Sequence, residues 1–341
     1  MKRHGNLFDK IVDIENLKLA TYNAKKGKRR KICVKEFEKN EEENILKLQK
    51  SLIRGEFKTS EYKTKQIYEP KERTIYILPF YPDRIVQHAI MNVLEPIWDG
   101  IMIDTSYACR KNKGQHAGSK KCMDYVRKYD YCFKADIKKF YPSIKHDLLY
   151  DIIQKKIKCK RTLNLLKDII YSIEGGQNVP IGNYVSQWFG NLFLNELDMM
   201  IKHKLKCKAY IRYCDDFVLF SNSKKELNFW RTQIEHFLNQ ELSLIFSKKA
   251  IFPVSQGVDF LGYVHFDNYI LLRKSTKKRL KRKLNKVLVE LKRKRINFNQ
   301  FRSCIFSYLG WLKHANTYNL ISKLKIYKIF QFGGKINETV S

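Results

Sequence analysis

Short β-rich runs set among longer helical segments predict an α+β fold for this chain of 341 residues. Three observations carry the assignment. Residues 66–81 and 209–220 each hold two β-rich stretches around a turn, residues 131–137 form a further β-rich run, and the segments between them place apolar residues at helical spacing. At roughly 150 residues per domain the length suggests two or three packed subdomains, or else one large α/β unit.

Residues 6–60 read as mostly helical: an amphipathic stretch near Leu7–Leu19, then the basic run Lys25-Lys26-Gly27-Lys28-Arg29-Arg30-Lys31, then a helix through Glu41–Leu52. Such a basic run is expected to stay outside any core. Residues 66–81 resemble a hairpin with a charged turn, and a helix follows from about Pro82 to Trp98. The run Tyr131-Cys132-Phe133-Lys134-Ala135-Asp136-Ile137 is a strand with an acid at its end, and Pro142-Ser143 starts a helix with Leu148, Leu149, Ile152, Ile153 and Ile157 on its apolar face. Gly175-Gly176 and Pro180-Ile181-Gly182 form a loop before a helix over about 183–202. Ser223-x-x-Glu226 is a capping box for a later helix. Residues 273–295 carry thirteen Lys/Arg and one Glu, yet Leu280, Leu284, Val287, Leu288 and Leu291 keep helical spacing, which predicts an amphipathic helix with a cationic face.

Composition narrows the partner. Sixty-seven Lys+Arg against 34 Asp+Glu give a net charge of +33, while 44% hydrophobic and 13% aromatic residues suffice for a real core, which excludes a disordered basic tail. The cations are clustered, and a polyanion, foremost a nucleic acid, is the expected partner. No apolar run reaches the ~18 residues that span a bilayer and no signal-like stretch follows Met1, so a cytoplasmic protein without membrane contact is expected. Eight cysteines contain no C-x-x-C pair and are read as free thiols, most of them in the core.

In so basic a chain, carboxylates ending apolar strands stand out, because burying an ionised group is costly without compensation. Asp136 is one, and Asp215-Asp216 sit at a hairpin turn flanked by Ile211, Tyr213, Phe217, Val218 and Leu219. An Asp-Asp pair alone is ordinary turn chemistry. A strand-end Asp, a Gly-rich loop and helix, and then aromatic-x-Asp-Asp is a set suited to two divalent cations about 3.5–4 Å apart that drive in-line phosphoryl displacement. Mg²⁺ suits such a site because it keeps positions open for phosphate and water, and Mn²⁺ is a possible substitute.

The motifs Ala135-Asp136-Ile137-Lys138-Lys139-Phe140-Tyr141, Pro180-Ile181-Gly182-Asn183-Tyr184-Val185-Ser186-Gln187, Tyr213-Cys214-Asp215-Asp216 and Phe260-Leu261-Gly262-Tyr263 resemble the ordered palm motifs of reverse transcriptases. Upstream, Arg73 through Pro79, Asp83 through His88, and Ser106 through Arg110 with Lys113-Gly114 resemble the fingers motifs of bacterial retroelement enzymes, so the likeness covers roughly residues 5–325. Most reverse transcriptases carry Gln-Gly-x-x-x-Ser-Pro where this chain has Ile181-Gly182-Asn183-Tyr184-Val185-Ser186-Gln187; the Ile-Gly-x-x-x-Ser-Gln form is similar to that of diversity-generating retroelements. In that family a template-repeat RNA is copied into cDNA mutated at adenines, which replaces a variable repeat in a target gene. The segment Ser307 through Asn316 resembles the family's thumb.

The resemblance implies a right-hand polymerase with an N-terminal extension and fingers at 1–130, an antiparallel palm at 131–265 and a helical thumb at 266–341. It implies two Mg²⁺ held by Asp136, Asp215, Asp216 and the Ile137 backbone carbonyl, with Asp216 the more peripheral acid. Nucleotide binding is assigned to Lys71, Arg73, Arg110, Tyr141, Ile181, Gly182, Gln187 and Lys248. Among these, Tyr141 excludes a 2′-OH, Ile181 offers apolar surface where relatives hydrogen-bond, and Gly182 admits close backbone approach to nucleotide or template. Nucleic-acid backbone contacts are assigned to Lys28, Arg29 and Arg30 and to Lys277, Lys278, Lys281 and Arg282. The implied partners are a template RNA, its RNA–DNA hybrid, dNTPs and a small pentameric accessory variability determinant. The rival readings are a group II intron enzyme, for whose maturase or endonuclease domain little chain is expected beyond the thumb, a phage-defence enzyme, and a catalytically silent RNA-binding scaffold.

Overall fold

In the computed structural model, which describes residues 3–68 and 71–324, Asp13 divides the helical stretch expected near Leu7–Leu19. Its side chain accepts from the amides of Glu15 (3.0 Å) and Asn16 (3.1 Å), capping a new helix after the first ends. The elements are then, in order, α1 (Phe8–Val12), α2 (Ile14–Lys25), α3 (Ile32–Glu38), α4 (Glu41–Arg54), β1 (Lys63–Ile67), β2 (Arg73–Ile77) and, after a kinked turn at Phe80–Arg84 in which Tyr81 is extended, α5 (Ile85–Asp99). There follow α6 (Gln115–Val126), β3 (Tyr131–Ile137), α7 (Phe140–Ser143), α8 (His146–Gln154), α9 (Lys160–Ile170) and α10 (Tyr184–Met199). The chain continues through β4 (Tyr210–Tyr213), β5 (Asp216–Ser221), α11 (Lys224–Glu241), β6 (Phe246–Pro253), β7 (Val258–Phe260), β8 (Tyr263–His265), β9 (Ile270–Leu272), α12 (Lys274–Lys292), α13 (Phe298–Leu312) and α14 (Tyr318–Lys323). The turn residues Glu69 and Pro70 and the expected thumb residues 325–341 lie outside the described residues.

Two compact units interleave along the chain. The first gathers Met1–Lys111, Ala135–Phe217 and Phe229–Lys249; the second gathers Asn112–Lys134, Val218–Asn228 and the chain from Ala250. The four-stranded sheet has the order β4-β5-β3-β6, so its strands do not follow one another as they do in sequence.

In the first unit, α5 and α10 bury most of their side chains, with Trp98 6.4 Å from Trp188 and 6.1 Å from Phe189 between ring centroids. The basic run after α2 is not wholly outside the packing. Lys25 is 12% exposed because Glu41 (2.7 Å) and Glu38 (3.2 Å) clamp its ammonium, whereas Arg29 and Arg30 are exposed. Arg212 on β4 has no exposure and meets Asp198 of α10, equally buried, through Nε–Oδ1 at 2.7 Å and Nη2–Oδ2 at 2.5 Å. The Tyr210 hydroxyl donates to the same carboxylate at 2.6 Å. Burial opposes the Arg212 charge, yet the Asp198 carboxylate and its hydrogen bonds together hold that guanidinium's pKa above the ordinary value.

The second unit holds the antiparallel sheet β7-β8-β9, with Phe260 opposite Tyr263 and Tyr263 opposite Leu272. The Phe260-Leu261-Gly262-Tyr263 motif is its tight turn: Leu261 (φ +55°) and Gly262 (φ +82°) are both left-handed, and Gln115 donates to the Leu261 carbonyl at 2.6 Å. Leu280, Leu284, Val287 and Leu291 of α12 are buried with Phe301, Ile305 and Leu312 of α13, while Lys277, Lys278, Lys281 and Arg282 face outward as the pattern predicts. The capping box at Ser223 and Glu226 is only half made. The Ser223 hydroxyl accepts from the Glu226 amide at 3.3 Å, but the Glu226 carboxylate takes the Ser221 hydroxyl, whose oxygen in turn accepts from the Ser223 amide.

Cysteine burial also departs from expectation: only Cys122, Cys132 and Cys207 are buried, while Cys33 and Cys109 are exposed. Among the described residues no helix is long and apolar enough to cross a membrane.

His88 on α5 stacks on Tyr184 with centroids 4.5 Å apart and planes at 23°. Burial first, and then the nearby Arg84, Lys28 and Lys26 charges, lower its pKa from 6.5 to about 4. A folded pKa below the unfolded one means that the unfolded chain binds more protons between those values. Stability is therefore lost as pH falls from about 6.5 through about 4. Urea unfolding across that window should show wild type losing stability relative to His88→Phe, which keeps the stacked ring and removes the titration.

Candidate active site

The turn between β4 and β5 is built from the buried ion pair outward. Cys214 occupies it at φ +53°, a conformation a side chain seldom adopts, and the Arg212 Nη1 donates to the Cys214 carbonyl at 3.1 Å and to Asn191 Oδ1 at 3.2 Å. The backbone on the far side is pinned as well, by Arg212 N to Thr105 O (3.0 Å) and Tyr107 N to Arg212 O (3.0 Å). Asp215, the next residue, is thus presented by a turn whose neighbours cannot shift freely.

Asp215 lies within electrostatic reach of Asp136, near the end of β3. Its pKa is raised, first by burial and then by repulsion from the Asp136 carboxylate, with Arg73 and Lys71 acting in the opposite sense. The Lys71 ammonium lies 3.9 Å from Asp136 Oδ2. The structure therefore brings Asp136, Asp215, Lys71 and Arg73 together from three separate stretches of chain. Tyr141 joins them: burial, followed by the Cys214 and Cys109 thiols and Asp215, pushes its phenol well above the ordinary value. Beneath the ring is Gly190 of α10, where an added Cβ would lie 3.1 Å from Tyr141 Cε1 and 3.2 Å from its Oη.

Among the described residues no group of three or more His, Cys, Asp or Glu side chains is gathered to hold a metal ion. Asp216, which begins β5, does not complete a three-acid cage with the other two. Two such carboxylates still fit Mg²⁺, which accepts few protein ligands and fills its octahedron with water and phosphate oxygens.

Other expected residues fare differently. Arg110 is corrected: its Nε donates to Asp99 Oδ1 (2.5 Å), its Nη1 to the carbonyls of Ile103 (2.6 Å) and Ser106 (3.0 Å), and its Nη2 to the Asp99 carbonyl (3.2 Å). With its side chain only 7% exposed it staples a loop and has no free face for a triphosphate. Gly182 does allow a close approach, at φ +124°, but the neighbour is protein: a Cβ there would stand 2.4 Å from the Tyr76 carbonyl of β2. The Ile181 carbonyl accepts from the Tyr76 amide at 2.8 Å, so the loop carrying both residues is docked on the β1–β2 hairpin. Gln187 and Lys248 are exposed, and Lys28 is half-buried with its pKa lowered by burial and by the Arg84 and Lys31 charges. Sequence reasoning missed Arg212, Asp198 and Ser247, whose hydroxyl lies 2.7 Å from Asp136 Oδ2. An Arg two residues before the acidic turn, amid apolar neighbours, was the available signal for the first.

A family model described as reverse transcriptase (RNA-dependent DNA polymerase) matches residues 62–265. The chain belongs to that family. It is, at that level, an RNA-directed DNA polymerase, and its mixture of helices with antiparallel sheet is that of a right-hand polymerase. Protein YkfC of Escherichia coli is 24% identical, over 64% of this chain and 71% of its own. The group II intron-encoded protein LtrA of Lactococcus lactis is 23% identical over 65% of this chain, which spans 49% of LtrA, and the retron Ec73 reverse transcriptase of Escherichia coli is 27% identical over 45% of this chain and 50% of its own. Among solved structures, an apo telomerase from Candida tropicalis matches with a TM-score of 0.47 at 15% identity, covering 67% of this chain and 60% of that one.

Two outcomes test this geometry. Arg212→Met leaves Asp198 buried without its cation and should cost about 3–5 kcal/mol of stability; adding Asp198→Leu should restore much of that. The double variant still lacks the donor to the Cys214 carbonyl, so primer extension should stay low after stability returns. Gly190→Ala should displace the Tyr141 ring and raise KM for dNTPs severalfold, whereas Gly310→Ala, where a Cβ meets nothing within 4 Å, should not.

Proposed function

We propose that this reverse transcriptase copies a template-repeat RNA into cDNA mutated at adenines, for the diversification of a target gene by mutagenic retrohoming. The observation that carries this reading is Ile181-Gly182-Asn183-Tyr184-Val185-Ser186-Gln187 in place of Gln-Gly-x-x-x-Ser-Pro. Ile181 supplies apolar surface where a glutamine would hydrogen-bond, and a lost polar contact narrows the energetic gap between correct and incorrect pairs.

Asp136 and Asp215, with the Ile137 carbonyl, hold Mg²⁺, and Asp216 has a peripheral part. Bound there, the metal supplies Lewis acidity to the primer hydroxyl and to the leaving pyrophosphate oxygen. Lys71 and Arg73, already beside the acids, receive the triphosphate charge, with exposed Lys248 further out. Tyr141 takes the place beside the sugar from which a 2′-OH is excluded, and Gln187 lies on the helix that follows the docked loop. Lys28, Arg29 and Arg30 and the outward face of α12 (Lys277, Lys278, Lys281, Arg282) neutralise phosphates of the template RNA and of the RNA–DNA hybrid. A pentameric accessory variability determinant is the protein partner, and the cytoplasm is the place of action.

A second reading is supported by the relatives whose names include a group II intron-encoded protein and a retron reverse transcriptase. One experiment separates the two: primer extension with Mg²⁺ and dNTPs on a template RNA, with the cDNA sequenced. Errors concentrated at template adenines, together with loss of extension by orders of magnitude in Asp215→Asn while RNA binding persists, are expected. An even error spectrum favours the intron or retron reading, and no extension by wild type leaves an RNA-binding scaffold.

A further inference from the structure

Asp136 receives two partners, and both approach the same oxygen. Lys71 Nζ is 3.9 Å from Oδ2, and the Ser247 hydroxyl on β6 is 2.7 Å from Oδ2 and 3.1 Å from the Asp136 carbonyl oxygen. Among the described residues Oδ1 has no hydrogen-bond or ion-pair partner, so one carboxylate oxygen is engaged and the other is left open.

The placement follows from the sheet. β6 lies beside β3, and the Lys138 amide donates to the Ile245 carbonyl at 2.9 Å, which fixes the register two residues before Ser247. Side chains on a strand alternate faces, so this register determines that residue 247, rather than Phe246 or Lys248, carries its hydroxyl to Asp136. Phe246 instead packs towards Phe217, with centroids 6.2 Å apart. A serine is short enough to reach the carboxylate without blocking it, and as a neutral donor it adds no charge to compete with a cation.

We propose that Ser247 is a positioning residue for the metal site: its hydroxyl holds Asp136 in the rotamer that turns Oδ1 towards the space between Asp136 and Asp215. Lys71 reaches Asp136 through a long side chain that is 72% exposed, whereas Ser247, though exposed as well, donates from strand β6 through one short side chain whose place is set by the register. Groups that orient a ligating carboxylate in this way change metal affinity by about 10–100-fold when removed. The inference rests on the reading of Asp136 and Asp215 as metal ligands.

The test is Mn²⁺ binding to the full chain without nucleotide, followed by electron paramagnetic resonance, alongside the Mg²⁺ dependence of primer extension. Ser247→Ala is expected to weaken Mn²⁺ binding about tenfold and to raise the half-saturating Mg²⁺ concentration similarly, with the rate recovering in excess metal. Ser247→Thr, which keeps the hydroxyl, is expected to retain wild-type affinity for Mn²⁺. Wild-type Mn²⁺ affinity in Ser247→Ala, or equal weakening in Ser247→Thr and Ser247→Ala, overturns the proposal. Asp136→Asn is the separate control: if it binds Mn²⁺ as wild type does, the metal-site reading itself fails, whatever Ser247 does.

Discussion

A guanidinium with no access to water governs the geometry around the candidate active site. Arg212 is held on two edges by Asp198, and it spends its remaining donors on Asn191 and on the Cys214 carbonyl. Buried ion pairs are poor sources of net stability, since desolvation consumes most of the attraction. Their use here is directional. A planar fork whose position is fixed by a carboxylate on α10 and by backbone bonds to Thr105 and Tyr107 can hold one carbonyl in a turn that its own residue disfavours. Because Asp215 follows that carbonyl, the ion pair decides where the acid points.

The second constraint is the pairing of two like charges. The Asp136 carboxylate adds to the cost of ionising buried Asp215, and the chain offsets part of it with Lys71 and Arg73 from the hairpin turn region. An excess of cations over the whole molecule does not relieve this repulsion, because exposed charges beyond about 10 Å are screened. The local pair of cations does. The same two side chains reach the acid pair from the β1–β2 hairpin, so the compensating charge is placed where the repulsion arises.

Docking of the 181–182 loop on β2 gives Gly182 a reason that differs from direct nucleotide contact. The Tyr76 carbonyl occupies the space a side chain would need, so the loop is packed directly against the β1–β2 hairpin. Ile181 therefore acts from a backbone position that is set by Tyr76. Arg110 illustrates the opposite case, a cation whose hydrogen bonds are all spent inside the fold.

The strands near residues 66–81, 131–137 and 209–220, the helices near Glu41–Leu52 and 183–202, the amphipathic α12 and the acids at strand ends were legible in the sequence because each depends on periodicity or on the anomaly of a carboxylate beside apolar residues, whereas the helix expected from Pro142-Ser143 through Ile157 is broken into α7 and α8 and ends at Gln154. Local pattern alone also identified Leu280, Leu284, Val287 and Leu291 as the inward face of α12. It left undecided which of many cations are free. Lys25 and Arg110 look like Lys71 and Arg73 in sequence, yet the first two are consumed by Glu38, Glu41 and Asp99, whereas the latter two meet the acid pair. The interleaving of β3 and β6 around distant chain segments, and with it the meeting of Ser247 with Asp136, was likewise decided only in three dimensions. Hydrogen bonds between residues 111 apart in sequence depend on strand order and register, and no local periodicity encodes those.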